Sequence, residues 1–199
     1  MNKLSREEKI ASFQSEIDCI KNESIKEIAI KMVSELIPDY FWEVAASSTG
    51  KYHPSYASGE GGLYRHTVAA VRIAIGMFPL TNYTDNEKDK IILALIMHDS
   101  FKHGSVFCKY SKSNHPVIAA GQVRAYCEMW LPECYGSDFG ISIAELILTH
   151  MGQWNTDWKT KKEIMPKPST SMQRYVHMCD YLASRKYLEF NFEEAVKRD

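Results

Sequence analysis

The chain has 199 residues, 45% hydrophobic and 25% charged, with a formal net charge of −1. These are the values of an ordinary soluble globular protein, long enough to bury a real core. No apolar run approaches the roughly 20 residues of a membrane span, and a near-neutral charge excludes the broad basic face that a long nucleic-acid track needs. The N-terminal MNKLSREEKI lacks a signal-peptide core. Five cysteines, odd in number and without a C-x-x-C pair, argue against a disulfide framework or a thiolate zinc site. A reducing, cytoplasmic location is the expectation.

In chain order, Ser5-x-x-Glu8 and Ser24-x-x-Glu27 are capping boxes that predict two early helices. The second carries Ile25, Ile28, Met32, Val33, Leu36 and Ile37 at helical spacing and stops before Pro38. Residues 1–40 therefore read as a helical packing layer without chemistry of its own. From Phe41 to Leu63 the chain holds His53-Pro54 and then Ser58-Gly59-Glu60-Gly61-Gly62, too much glycine for a helix or strand interior. This loop feeds a helix from Leu63 to Phe78 with His66 in its first turn.

Thr84-x-x-Glu87 launches the next helix, in which Ile91 to Met97 leaves no polar face. A helix that is apolar all round belongs at the centre of a fold. The helical run, taken through to Lys102, includes His98-Asp99, and a carboxylate at the mouth of a dry interior is costly unless it is paired or metal-bound. Helical spacing turns His98 and Lys102, four apart, toward one side. Pro116, just behind His115, opens a helix to Trp130. Asp138 or Ser142 begins another, Ile143 to Thr149, that ends at His150. Met151 to Ser169 is a long connection with two tryptophans and four lysines. Thr170-x-x-Gln173 caps the last helix, on which Asp180 lies at the shoulder of a core stripe. No strand pattern or repeat occurs, so the fold class is all-α, a single domain over residues 1–199 with its core at 63–187.

His66, His98, Asp99, His115, His150 and Asp180 each sit at a helix end or on a helix face. Imidazole and carboxylate without thiolate suit Mn, Fe, Ni, Co, Zn or Mg rather than a structural zinc site. This order resembles the HD-domain metal-dependent phosphohydrolase superfamily, all-α bundles around a buried central helix. The superfamily's lone His, His-Asp pair and late Asp match His66 in GGLYRHT, His98-Asp99 in ALIMHDSFK and Asp180 in HMCDYLASR. Two-metal members add two histidines between the pair and the late Asp, the places of His115 in SNHP and His150 in ILTHMGQW. Lys102 matches a lysine that many members carry three residues after the Asp. Ser100-Phe101-Lys102 departs from the Ile-Gly-Lys common there. The resemblance spans Leu63 to Tyr187 and is nearest to small phage and bacterial HD proteins and the HD domain of 3′-end exoribonucleases.

The resemblance implies one or two divalent metal ions on these six residues, with Asp99 bridging. The implied activity is hydrolysis of a nucleotide or short oligonucleotide phosphoester by a metal-activated water. Asp99 and Lys102 would be catalytic, Lys102 stabilising charge as the ester breaks. Lys102, His53 and Trp154 would contact substrate, with Tyr52-His53-Pro54 overhanging the site. Trp154 or Trp158 would stack on a base, and Lys159 to Lys167 would serve its phosphates. His103 is expected to be exposed, and His177 to lie beside the site or face solvent. Two other readings are a non-catalytic nucleotide- or partner-binding HD module, opposed by the intact ligand set, and a di-iron HD-fold oxygenase, opposed by Lys102. Oligomeric state is not legible in the sequence.

Overall fold

A computed structural model describes residues 3–50, 53–130, 133–157 and 159–187, with the side chains of 133–137 outside the described set. The chain is all-α. Its helices are α1 (Arg6–Ser12), α2 (Gln14–Ile17), α3 (Glu23–Lys31), α4 (Gly62–Met77), α5 (Asp85–Met97), α6 (His115–Trp130), α7 (Glu133–Leu148) and α8 (Ser171–Ala183). Among the described residues extended pairing is confined to the isolated bridge between Thr156 and Glu163. No described helix is long and apolar enough to cross a membrane.

The capping boxes at Ser5, Thr84 and Thr170 form, each with its reciprocal side-chain and backbone hydrogen bonds. The one expected at Ser24 does not. Asn22 caps α3 instead, its side chain accepting from the amides of Ser24 and Ile25. Past Lys31 the helix widens into a π turn, Met32–Leu36, and Ile37 is extended ahead of Pro38.

α5 is the central element. Ile91 through Met97 are at most 1% exposed, and α2, α3, α4, α7 and α8 all pack on α5. Two buried polar groups tie the N-terminal layer to this core. Asp89 of α5 accepts from the amides of Lys21 and Asn22 at 3.0 and 2.9 Å, and Arg72 of α4 pairs with buried Glu16 at 2.8 Å.

The α-helix stops at Met97, short of the expected Lys102, and turns carry the chain from His98 to Phe107. The local chemistry explains the stop. The His98 ring and the Ser100 hydroxyl take the carbonyls of Leu95 and Met97, which the backbone would need to continue the helix. α7 begins at Glu133, well before Asp138 or Ser142.

The glycine-rich loop folds back on the start of α4. Arg65 donates to the carbonyls of Tyr56, Ser58 and Glu60, and a Cβ on Gly62 would lie 2.2 Å from the Ala57 carbonyl oxygen. This close approach, which only glycine permits, lays residues 53–61 over the N-terminal end of α4.

Candidate metal centre

Five separate stretches deliver six side chains to one place. His66 lies one turn into α4, His98 caps the end of α5 with Asp99 next to it, and His115 is the first residue of α6. His150 follows the end of α7, and Asp180 is in the last turn of α8. His66, His98, Asp99, His115 and His150 are all buried to 3% exposure or less, and the Asp180 side chain to 17%.

Three of the rings are set by the same local device. His98, His115 and His150 each donate Nδ1–H to the carbonyl three residues back, at 2.7, 2.8 and 2.6 Å from Leu95, Lys112 and Ile147. A carbonyl only accepts, so Nδ1 holds the proton and Nε2 of the neutral ring is a lone pair. Those lone pairs point at one another and at the carboxylates. His115 Nε2 and His150 Nε2 are 3.2 Å apart. Asp99 divides its oxygens between two pairs of histidines. Its Oδ1 is 2.9 Å from His115 Nε2 and 3.7 Å from His150 Nε2, and its Oδ2 is 3.6 Å from both His66 and His98. Asp180 Oδ1 completes the second group, 2.9 Å from His66 Nε2 and 3.5 Å from His98 Nε2.

Burial works against every charge here. For Asp99 the adjacent Lys102 ammonium and His98 more than reverse it and hold the carboxyl well below the usual range. Asp180 is likewise held well below that range, the neighbouring His66 and His98 outweighing burial. Burial pushes His66 and His115 down despite their carboxylate neighbours, so both rings favour the neutral form that ligates a metal. His98 goes the other way, because Asp99 and Asp180 together outweigh its burial.

The residues fit a divalent cation. His98 Nε2 and Asp99 Oδ1 are buried with no hydrogen-bond partner, and with Nδ1–H of each neutral ring given to a backbone carbonyl, the Nε2 lone pairs of His115 and His150 face each other. Either condition is costly in a dry site and is relieved by a cation. Donors at about 2.1 Å from one ion stand about 3.0–3.4 Å apart in octahedral or tetrahedral arrangement. The spacings of 2.9–3.7 Å bracket that range. Two groups of three donors have all their ligand atoms within 4.8 Å of one another: His66, His98 and Asp180, and His98, Asp99 and His150.

The other residues singled out in the sequence take varied places. The His53 ring packs edge-on to His66, with centroids 4.8 Å apart, and burial followed by the charges of His66 and Lys102 pushes it down to about 2. Lys102 does not run parallel to His98. From the turn that follows α5 it reaches back to Asp99 Oδ2 at 2.5 Å. Trp154 is 45% exposed and outside the ligand group, lying against His177 and Tyr181. Tyr52 and Trp158 lie outside the described residues. His103, expected at the surface, is 3% exposed because its Nδ1 donates to the Cys108 carbonyl and its ring stacks on Phe107.

Sequence reasoning leaves His177 between a place beside the site and the solvent, and misses two other contributors. His177 donates Nδ1–H to the His150 carbonyl at 2.7 Å and so fixes that turn from α8. Its position one turn before Asp180 is the available signal. Gly152 makes room for the His177 ring, and Arg185 lies over Tyr181, two contacts between distant segments that no local pattern announces.

No protein-family model matches the chain, and neither does any curated protein or solved structure.

Proposed function

We propose that the protein is a metal-dependent phosphohydrolase of the HD type, acting on a phosphoester in a nucleotide or short oligonucleotide. The observation that carries the reading is the division of Asp99, with Oδ1 toward His115 and His150 and Oδ2 toward His66 and His98. A carboxylate so placed would serve both groups of histidines. His66, His98 and Asp180 would hold one cation, and His115 and His150 another. Divalent ions bound there would supply a Lewis acid that neutralises phosphate oxygens and lowers the pKa of water.

The chain's own groups do the rest. The Nδ1 bonds of His98, His115 and His150 lock their rings, so the donor set is organised before anything binds. Lys102, 13% exposed and lodged against Asp99, sets a cation beside the ligands where a phosphate oxygen would gain charge. His53 closes the side next to His66 and, being neutral, can accept or donate a hydrogen bond to a substrate oxygen without adding charge.

The test is metal analysis of the purified chain followed by a panel of nucleotide mono- and diesters. Wild type is expected to hold about two ions per chain, His115→Ala about one, and Asp99→Ala neither. Lys102→Ala should keep its metal and lose kcat, since lysine would act on the transition state rather than on the ion. Equal, substoichiometric metal in wild type and Asp99→Ala would refute the proposal. Full metal with no turnover of any ester in the panel would leave a nucleotide-binding module as the better reading.

A further inference from the structure

Beside the ligand cluster stands a wall that the proposed chemistry does not use. Trp154 and Tyr181 are stacked, 5.7 Å between centroids and 14° between planes. The Arg185 guanidinium lies over this pair, 4.1 Å from the Tyr181 centroid and 5.9 Å from that of Trp154. Tyr181 follows Asp180 directly, and His177, which holds the His150 carbonyl, packs on both rings. The wall therefore belongs to the same end of α8 as the ligands.

Arg185 is the unusual member. Its Nε and Nη2 both donate to the Ser184 hydroxyl, at 3.2 and 2.7 Å, which fixes the plane of the guanidinium. No carboxylate among the described residues pairs with it, and its Nη1 donates to no described group. A guanidinium stacked on aromatic rings has already lost its rotamer freedom, so binding an anion costs it little further ordering. Stacking leaves the in-plane donors of Nη1 open, and those donors match a phosphate. The exposed part of Trp154 supplies an aromatic surface next to this cation.

We propose that Arg185, seated on Tyr181 and Trp154, binds a second phosphate of the substrate, and so selects esters carrying two phosphates over simple monophosphates. The inference rests on the phosphoester reading of the His–Asp cluster and deepens it. In sequence Arg185 is one of 24 basic residues in the chain. Its stack on Tyr181, the neighbour of Asp180, distinguishes it.

The experiment compares a nucleoside 3′,5′-bisphosphate with the matching 5′-monophosphate on the metal-loaded protein. Both are measured by calorimetric titration and by turnover, in wild type, Arg185→Gln and Arg185→Lys. Wild type should bind the bisphosphate about tenfold or more tighter than the monophosphate, the effect of one hydrogen bond to a charged group. Arg185→Gln should abolish that preference while leaving monophosphate affinity and metal content as they were, and Arg185→Lys should restore part of it. A preference that survives Arg185→Gln, an equal loss for both ligands, or no binding of the bisphosphate to wild type would each overturn the proposal. The two readings fail separately. Selective binding without turnover keeps the subsite and defeats the hydrolase, and turnover without selectivity does the reverse.

Discussion

Gly152 shows how much a single residue holds at the centre. Its φ is +57°, and a Cβ there would meet the His177 ring at 2.2–2.6 Å. Alanine would have to adopt a left-handed conformation and push away the ring that anchors the His150 carbonyl. Gly152→Ala should cost about 1–3 kcal/mol from the backbone alone and also reduce metal content, because His150 loses its support. Gly121, inside α6 with no atom within 4 Å of its would-be Cβ, is the control. Gly121→Ala should gain about 0.5–1 kcal/mol, and thermal melts with metal analysis of both variants separate the two effects. Asp39 offers a test of charge instead. Burial raises it, but hydrogen bonds from Lys9 and Lys3 win and leave it below its usual value. A carboxyl lowered in the folded state contributes its full stability above its unfolded pKa and loses it as pH falls through the folded one. With Asp39 one-third exposed and Lys9 buried, Asp39→Asn should cost about 1–2 kcal/mol near neutrality. The gap between the two melting temperatures should close as pH drops below 3.8. A gap that stays constant to pH 2 would mean that the pair does not titrate with folding.

The elements differ in how far local rules determine them. α5 is legible because seven consecutive apolar residues leave it no exposed face, and Thr84 with Glu87 marks its start. Its end is not legible, since His98 and Ser100 terminate it by taking carbonyls that a propensity reading leaves to the backbone. Ser24 misleads for a related reason. Asn22 is as good a cap, and Asp89 fixes it from α5 by binding the Lys21 and Asn22 amides, a contact between distant segments. α7 is already helical at Glu133, ahead of both Asp138 and Ser142. All six candidate ligands are legible as residue types at helix ends or on helix faces. The ring orientations, the division of Asp99 and the Trp154–Tyr181–Arg185 wall are not, because each depends on side chains far apart in sequence. The central position of α5 sets its sensitivity. Leu95 is fully buried among the core residues, so Leu95→Ala should lose about 2–5 kcal/mol, measurable by denaturant unfolding. A loss under about 1 kcal/mol would show that α5 is less tightly enclosed than its burial indicates.

At the scale of the whole molecule, folding brings two imidazole lone pairs to 3.2 Å from each other in a buried site. The unfolded chain bears none of that strain. The facing rings would therefore oppose folding until a cation joins them, and a bound cation would then favour folding by RT ln(1 + [M]/Kd). Exchanging one of the facing rings for an apolar ring of similar size should show both signs. His150→Phe should melt above wild type in chelator, where it removes a repulsion, and below wild type in saturating manganese, where it removes a ligand. The same order of melting in both conditions would refute this account. The free-metal concentration at which the two melting curves meet would be a meter of metal supply. Below it the native sequence is the worse folder, so a metal-starved cell would contain fewer copies of the protein, and not merely a full complement of idle ones.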